Sequence, residues 1–282
     1  MRIAYLAAGL LVFAGATSPA RARELPKPFV VAHRGAGDLA PENTLAAIRT
    51  GIELGVDVVE VDVRTTADRE LVLMHDDTVD RTTDGSGAVS QLTAAQIAAL
   101  DAGSKFSAQY AGERVPTLAA ALDLCRGKIG IYLDIKQASL ERVIALLRER
   151  DMVGDAIAYI YRPIQAVEIK RLEPRLAIMP GPGEWLAVQG VAEVVARSLA
   201  AEYLDSHVLY WSKQAVESAH RGGARVCVDI MGPTDNDQGW RSAMDLGVDG
   251  MQTDRPEALL AFLGRAQGRA TKPCSADNGL AK

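Results

Sequence analysis

His33 and His75 each close a short apolar run, Val30-Val31-Ala32 and Leu71-Val72-Leu73-Met74. Between them Glu60 and Asp62 sit two apart on a third run, Val58–Arg64. Of the chain's four histidines, these are the two that end predicted strands. An imidazole titrates near neutral pH, so two on one rim can share the proton transfers of a hydrolysis: one takes a proton from the attacking group and the other protonates the departing oxygen. In a strand, residues two apart point to the same face, so Glu60 and Asp62 face each other's charge. An oxygen-ligated divalent cation, Ca²⁺ or Mg²⁺, relieves that repulsion, and Asp134 in Ile131–Lys136 is placed to be a third ligand. Arg34 and Lys136 add cationic groups fit to hold phosphate oxygens. The bland alternative is that strand-end acids and cations here only neutralise one another, with Arg64 or Lys136 as the partner.

These residues need a frame that brings strand ends to one rim. Short β-branched runs alternate with helical patterns over about 250 residues, the usual size of an eightfold βα barrel. The strand candidates are Phe29–His33, Val58–Arg64, Leu71–His75, Ile129–Ile135, Ala156–Tyr161, Leu176–Met179, Arg225–Ile230 and Val248–Gln252, with Glu202–Ser206 as a weaker ninth. Helical spacing marks Thr44–Leu54, Leu118–Arg126, Leu140–Arg150, Pro163–Leu172, Glu184–Ala200, Lys213–Arg221, Gly239–Leu246 and Pro256–Gly264. Asn43 is the expected cap of the first helix, Gly55 its end, and Pro163 and Pro256 suit first helical turns. The fold class read from this is α/β, a (β/α)8 TIM barrel. No Gly-x-Gly-x-x-Gly follows the first strand, which disfavours an open dinucleotide-binding sheet. The polar stretch from Asp77 to Pro116, with one helical piece at Ala94–Leu100, reads as an insertion over the rim after the third strand.

The start of the chain reads as a secretory signal. Arg2 precedes the mostly apolar Ile3–Ala16, and Ala20-Arg21-Ala22 fits a small-x-small cleavage site. The run is shorter than the roughly 20 residues that span a bilayer, so no stable membrane anchor is expected. The expected layout is a signal at 1–22, a barrel domain at 23–268 and a loose tail at 269–282. Export points to the periplasm, with secretion beyond the cell open. Removing the signal takes away two arginines, making the formal charge of −5 more negative still. This gives no electrostatic help in holding nucleic acid or an anionic membrane, but does not exclude one small phosphate-bearing molecule. Oligomeric state is not legible. Cys125, Cys227 and Cys274 are odd in number and far apart, unlike a disulfide framework; the first two read as small buried residues.

In this order, His33-Arg34-Gly35, Pro41-Glu42-Asn43-Thr44, Glu60-Val61-Asp62-Val63, His75-Asp76, Arg81-Thr82-Thr83, Asp134-Ile135-Lys136, Gly247-Val248-Asp249-Gly250 and Thr253-Asp254 closely resemble the glycerophosphodiester phosphodiesterase family. Each piece alone is weak; the ordered set, from about Val30 to Leu260, is specific. The resemblance implies a metal-dependent enzyme that splits glycerophosphodiesters into glycerol 3-phosphate and an alcohol. It implies His33 and His75 as the acid/base pair, Glu60, Asp62 and Asp134 as metal ligands, Arg34 and Lys136 near the phosphate, and Glu42 as a supporting acid. Two departures stand out. Asp134 is one methylene shorter than the Glu of many members. Where a Trp-Thr-Val-Asn-like string is common, this chain reads Val226-Cys227-Val228-Asp229, so Trp211 or Trp240 is expected to supply the missing aromatic wall.

Other functions remain in view: a phospholipase D-like enzyme acting on lysophospholipids, which needs an apolar surface beside the mouth, and a catalytically silent binding barrel. His207 and His220 read as lacking an acidic or metal-ligand context, His220, on a helix before Arg221-Gly222-Gly223, reads as C-terminal helix chemistry, and Arg81–Gly85 reads locally as a polar turn.

Overall fold

The computed structural model describes residues 23–265; the expected signal Met1–Ala22, Cys274 and the tail after Gly268 lie outside the described residues. Among the described residues one sheet contains nine strands: β1 (Phe29–Ala32), β2 (Val58–Thr65), β3 (Leu71–Leu73), β4 (Gly130–Gln137), β5 (Ala156–Ile160), β6 (Ala177–Pro180), β7 (Tyr203–His207), β8 (Arg225–Asp229) and β9 (Gly250–Thr253). The helices are α1 (Leu45–Leu54), α2 (Ala94–Ala98), α3 (Leu118–Cys125), α4 (Leu140–Glu149), α5 (Pro163–Leu172), α6 (Val191–Leu199), α7 (Lys213–Arg221), α8 (Asp237–Leu246) and α9 (Pro256–Phe262). Eight strands are parallel, in the order β6-β5-β4-β2-β1-β9-β8-β7, and the end strands β6 and β7 pack side by side. The result is the expected barrel, nearly closed.

Alternation along each strand divides the apolar residues into two layers. Phe29, Val31, Val58, Tyr132, Ile157, Met179, Tyr203 and Cys227 fill the barrel. Val30, Val59, Val61, Ile131, Leu133, Leu204, Val226 and Val228 face outward and pack beneath the helices. Cys125 and Cys227 are buried free thiols, as their apolar settings predict. Pro163 and Pro256 do open α5 and α9, and Gly55 ends α1 with φ 79°.

The structure corrects four sequence expectations. Leu71–Leu73 is not the third barrel strand: β3 runs antiparallel to β2, pairing Leu73 with Val63 and Leu71 with Thr65. The link Thr66–Glu70 is too short for a parallel crossover, which needs a dozen or so residues. It is instead a tight turn with Arg69 at φ 67° and a Thr66 N–H bond to the Glu70 carbonyl of 2.9 Å. Second, the weaker candidate around Glu202–Ser206 takes the vacated place as β7. The rim insertion therefore follows the second barrel strand and includes β3. It carries its own small core of Val72, Met74, Val79, Val89, Ile97, Ala102 and Val115.

Third, α1 is capped by Thr44, whose hydroxyl accepts from the Ala47 amide at 3.2 Å; Asn43 sits at φ 57° and serves the site instead. Fourth, the single helix expected over Glu184–Ala200 is divided into a short 3₁₀ turn, Gly183–Ala187, and α6, with Gly190 at φ 83° between them.

Gly250 is where β9 passes the barrel floor: a Cβ there would lie between 2.2 and 2.5 Å from three carbons of the Phe29 ring. Overpacking of a closed interior costs about 1–3 kcal/mol. Gly250→Ala is therefore expected to lower the urea midpoint without changing the far-ultraviolet circular dichroism of the folded state.

Candidate active site

The barrel mouth lies at the C-terminal ends of the parallel strands, where this fold places its chemistry. Glu60 and Asp62 on β2 and Asp134 on β4 meet there, and one carboxylate oxygen from each lies within 4.8 Å of the others. Register puts Asp62 beside Asp134. Glu60 and Asp62 are 2% and 1% exposed, so solvent cannot screen them. Burial, then the charges of Asp62 and Asp134, push the Glu60 carboxyl well above the ordinary range. Three hard oxygen donors in a buried cluster with this excess of negative charge fit a divalent cation.

Two cations of the chain already lean on the cluster. Lys136 Nζ lies 2.5 Å from Asp134 and 3.2 Å from Asp62. Although burial favours its neutral form, Asp134 and Asp62 hold the ammonium above ordinary lysine. Tyr161, at the end of β5, donates to Asp134 at 2.6 Å and accepts from Lys136 at 3.0 Å. Burial and the Asp134 bond push its phenol up to about 12. Arg34 stands with Nε 3.8 Å from Asp62; that Nε is buried without a hydrogen-bond partner, while another guanidinium nitrogen donates to Glu42 at 3.0 Å.

The loop after β1 is shaped to the same cluster. Arg34 and Asn43 both adopt left-handed backbone, φ 52° and 57°, unusual away from glycine. The Arg34 amide donates to the Glu60 carboxylate at 2.8 Å. Asn43 grips Asp62 twice: its side-chain amide donates to the carboxylate at 2.8 Å, and its side-chain oxygen accepts the Asp62 amide at 3.0 Å. Gly35, at φ 93°, has no room for a Cβ, which would lie 2.7 Å from Ala47.

Both histidines present the same arrangement. His33 Nδ1 is 2.7 Å from Asp254, leaving Nε2 toward the acids, 4.0 Å from Glu60. His75 Nδ1 is 2.7 Å from Asp76. Because β3 is an antiparallel hairpin strand, His75 reaches the mouth from the insertion and not from the barrel wall. Arg64 fixes its carbonyl through two bonds of 3.1 and 2.7 Å, and the Met74 amide bonds the Asp62 carbonyl at 3.0 Å. With a carboxylate accepting at Nδ1–H, the imidazole tautomer and ring plane are set, and Nε2 is the nitrogen able to exchange a proton.

Arg81, locally a turn residue, is the clasp of this side. It makes two bonds to Glu42, 2.7 and 2.8 Å, and two to Asp76, 2.7 and 3.2 Å. The Arg81 hydrogen bond holds Asp76 well below the usual carboxylate range; against burial, Arg81 and Arg34 lower the Glu42 carboxyl as well. On the other side the Asp254 amide donates to Asp235 at 2.8 Å, and Thr253 and the indole of Trp240 also donate to Asp235.

Trp240 is thus corrected from pocket wall to buried support, 1% exposed against Phe262. Trp211, 6% exposed and bonded to the Ser206 carbonyl, also packs in the core. His220 has an acidic partner that its sequence neighbours do not reveal: Asp249, 2.6 Å away. Asp249 in turn accepts the Val226 amide at 2.8 Å and pairs with Lys27 at 2.8 Å, which knits β8 to β9.

The model of the glycerophosphoryl diester phosphodiesterase family matches residues 33–258, and the chain belongs to that family. A glycerophosphodiester phosphodiesterase of Caldanaerobacter subterraneus subsp. tengcongensis is 33% identical over 243 residues, covering 83% of this chain and 97% of the relative. The solved glycerophosphodiester phosphodiesterase of Agrobacterium tumefaciens superposes with a TM-score of 0.74 at 31% identity, covering 83% of this chain and 99% of its own. A phosphodiesterase of Oleispira antarctica, solved in complex with the product sn-glycerol-3-phosphate, has a TM-score of 0.75 at 26% identity, covering 84% and 97%.

Three outcomes follow from this geometry. Ca²⁺ or Mg²⁺ is expected to raise the melting temperature, chelator to reverse the rise, and Asp62→Asn to reduce it strongly. Arg81→Met frees both Glu42 and Asp76 and is expected to lower turnover about tenfold through a less ordered His75. Because Glu42 and Asp76 titrate below their unfolded values, their stabilisation is full above about pH 4.5 and fades as pH falls through their depressed range. These groups are partly exposed, so urea titrations of wild type and Arg81→Met should differ by only about 1 kcal/mol at neutral pH and converge in acid.

Proposed function

We propose that this phosphodiesterase hydrolyses glycerophosphodiesters to glycerol 3-phosphate and an alcohol, with Glu60, Asp62 and Asp134 holding Ca²⁺ or Mg²⁺ and with His33 and His75 sharing the proton transfers. The observation that carries the reading is the pair of imidazoles, each anchored at Nδ1 by its own carboxylate, beside the three-carboxylate cluster. When bound, the cation supplies positive charge to the phosphoryl oxygens in a water-poor site. Arg34 and Lys136 bring a guanidinium and an ammonium to the same rim. One histidine Nε2 accepts the proton of the nucleophile, water or the substrate's own hydroxyl, while the other protonates the departing alkoxide. Asp254 and Asp76 stabilise the imidazolium formed on either side.

The signal-like start, Arg2 followed by Ile3–Ala16 and Ala20-Arg21-Ala22, supports export, with the periplasm as the working compartment. There an enzyme of this kind would recover glycerol 3-phosphate from lipid debris.

A second reading has its own support. Trp185, Leu209 and Tyr210 are 67%, 76% and 51% exposed on the adjoining 3₁₀ turns that follow β6 and β7. Clustered apolar side chains beside a mouth suit an acyl chain, as in phospholipase D-like cleavage of lysophospholipids.

The mature chain is expected to release glycerol 3-phosphate from glycerophosphocholine, glycerophosphoethanolamine and glycerophosphoglycerol in a cation-dependent way. His33→Ala and His75→Ala should each lower turnover about 10²- to 10⁴-fold. Faster cleavage of lysophosphatidylcholine would favour the second reading; cation and substrate binding with no cleavage of any ester would mean a silent binding barrel.

A further inference from the structure

The three acids of the cluster are not held equally. The Arg34 amide donates to Glu60, and Asn43 grips Asp62 at both its carboxylate and its amide. Asp134 is held through side chains: Lys136 Nζ donates to Oδ2 at 2.5 Å and the Tyr161 hydroxyl to Oδ1 at 2.6 Å. Its side chain is also the most exposed of the three, 15% against 3% for Glu60 and 2% for Asp62, and so has the most room to turn. Lys136 does not fix it alone. The ammonium is shared with Asp62 at 3.2 Å and with the Tyr161 oxygen at 3.0 Å, and it ends a flexible four-carbon stem.

Tyr161 is a stiff donor on a packed base. It follows β5 directly, two residues beyond Tyr159, which the strand register sets beside Asp134. The rings of Tyr159 and Tyr161 meet edge to face at 4.9 Å, and Tyr132 lies 6.1 Å from Tyr159. Gly181, after β6, leaves the space this stack needs: a Cβ there would sit 2.3 Å from the Tyr159 hydroxyl. A tyrosine has only two side-chain torsions, so a ring packed along one edge fixes where its hydroxyl lies. A carboxylate oxygen carries two lone pairs, and a hydrogen bond from Tyr161 leaves Asp134 able to ligate a cation. Partners of this kind orient metal ligands, and their loss typically costs about 10- to 100-fold in affinity. The two candidate cations differ in what they ask of a ligand. Mg²⁺ demands near-ideal octahedral geometry, whereas Ca²⁺ accepts a flexible set of oxygens.

We propose that Tyr161 is a positioning residue: its hydroxyl fixes the direction of the Asp134 carboxylate and so biases the cluster toward Mg²⁺ over Ca²⁺. This rests on the reading that Glu60, Asp62 and Asp134 hold a divalent cation, and not on which diester is cleaved. Without the phenol, Asp134 turns wherever the mobile Lys136 ammonium follows it. Ca²⁺ tolerates that freedom and Mg²⁺ does not.

Tyr161→Phe removes the hydroxyl and keeps the ring against Tyr159; the residue is half exposed, so the fold tolerates the change. Mg²⁺ and Ca²⁺ are each titrated calorimetrically, at one pH and ionic strength, into wild type, Tyr161→Phe and Tyr159→Phe, each checked for a native melting transition. In Tyr161→Phe the Mg²⁺ affinity is expected to fall about tenfold and the Ca²⁺ affinity by about twofold or less, so that the ratio of the two drops. Tyr159→Phe keeps the stack and the bond to Asp134 and is expected to hold the wild-type ratio. A ratio unchanged in Tyr161→Phe, or lowered as much in Tyr159→Phe, overturns the role of the Tyr161 hydroxyl and leaves the cation site standing. Wild type that binds neither ion overturns the cation reading and this inference together.

Discussion

The mutual repulsion of Glu60, Asp62 and Asp134 sets the terms for the rest of the mouth. Three carboxylates within 4.8 Å, two of them almost wholly buried, cannot all stay charged in a low-dielectric setting without positive charge close by. The chain supplies some of it through Lys136 and Arg34, and backbone and side-chain donors from Arg34 and Asn43 hold the acids in place. The left-handed backbone at Arg34 and Asn43 is a consequence, since both residues turn so that their donors face inward. The cluster is compatible with a divalent cation, whose charge would complete the neutralisation and link the stability of the mouth to its chemistry.

Around this cluster runs a ring of further acids whose work is positioning. Trp240 and Thr253 hold Asp235, Asp235 holds the Asp254 backbone, and Asp254 holds His33. Arg81 joins Asp76, and so His75, to Glu42, which also receives Arg34. The two imidazoles are thus tied to separate parts of the molecule, one to the last barrel loop and the other to the insertion with its own core. Each ring is thereby oriented by its own carboxylate, without relying on the other.

Much of this was legible in the sequence because strand-end residues carry their direction with them. Glu60 and Asp62 share a face by alternation alone, and the βα rhythm places that face at a barrel mouth. What misled was local similarity. Leu71–His75 looks like Phe29–His33, yet the five residues that precede it admit only a hairpin, a limit that loop length could have revealed. Asp205 and Ser206 interrupt the apolar run of β7, although both are buried in the barrel. Asn43 reads as a helix cap because its side chain suits one, and only the tertiary fold shows that Asp62 takes it. Arg81 and the pairing of His220 with Asp249 depend on contacts far apart in the chain, which no local pattern encodes. Tyr161 was visible only as a strand end, and its bonds to Asp134 and Lys136 need the register of β4 with β5.

Whether a cation completes the carboxylate cluster can be read by anomalous diffraction from crystals of the protein grown with Mn²⁺. One strong peak is expected, enclosed by the carboxylates of Glu60, Asp62 and Asp134 and lost in Asp62→Asn. A peak elsewhere, or a cluster still neutralised only by Lys136 and Arg34 at saturating Mn²⁺, would contradict the cation's role at the mouth.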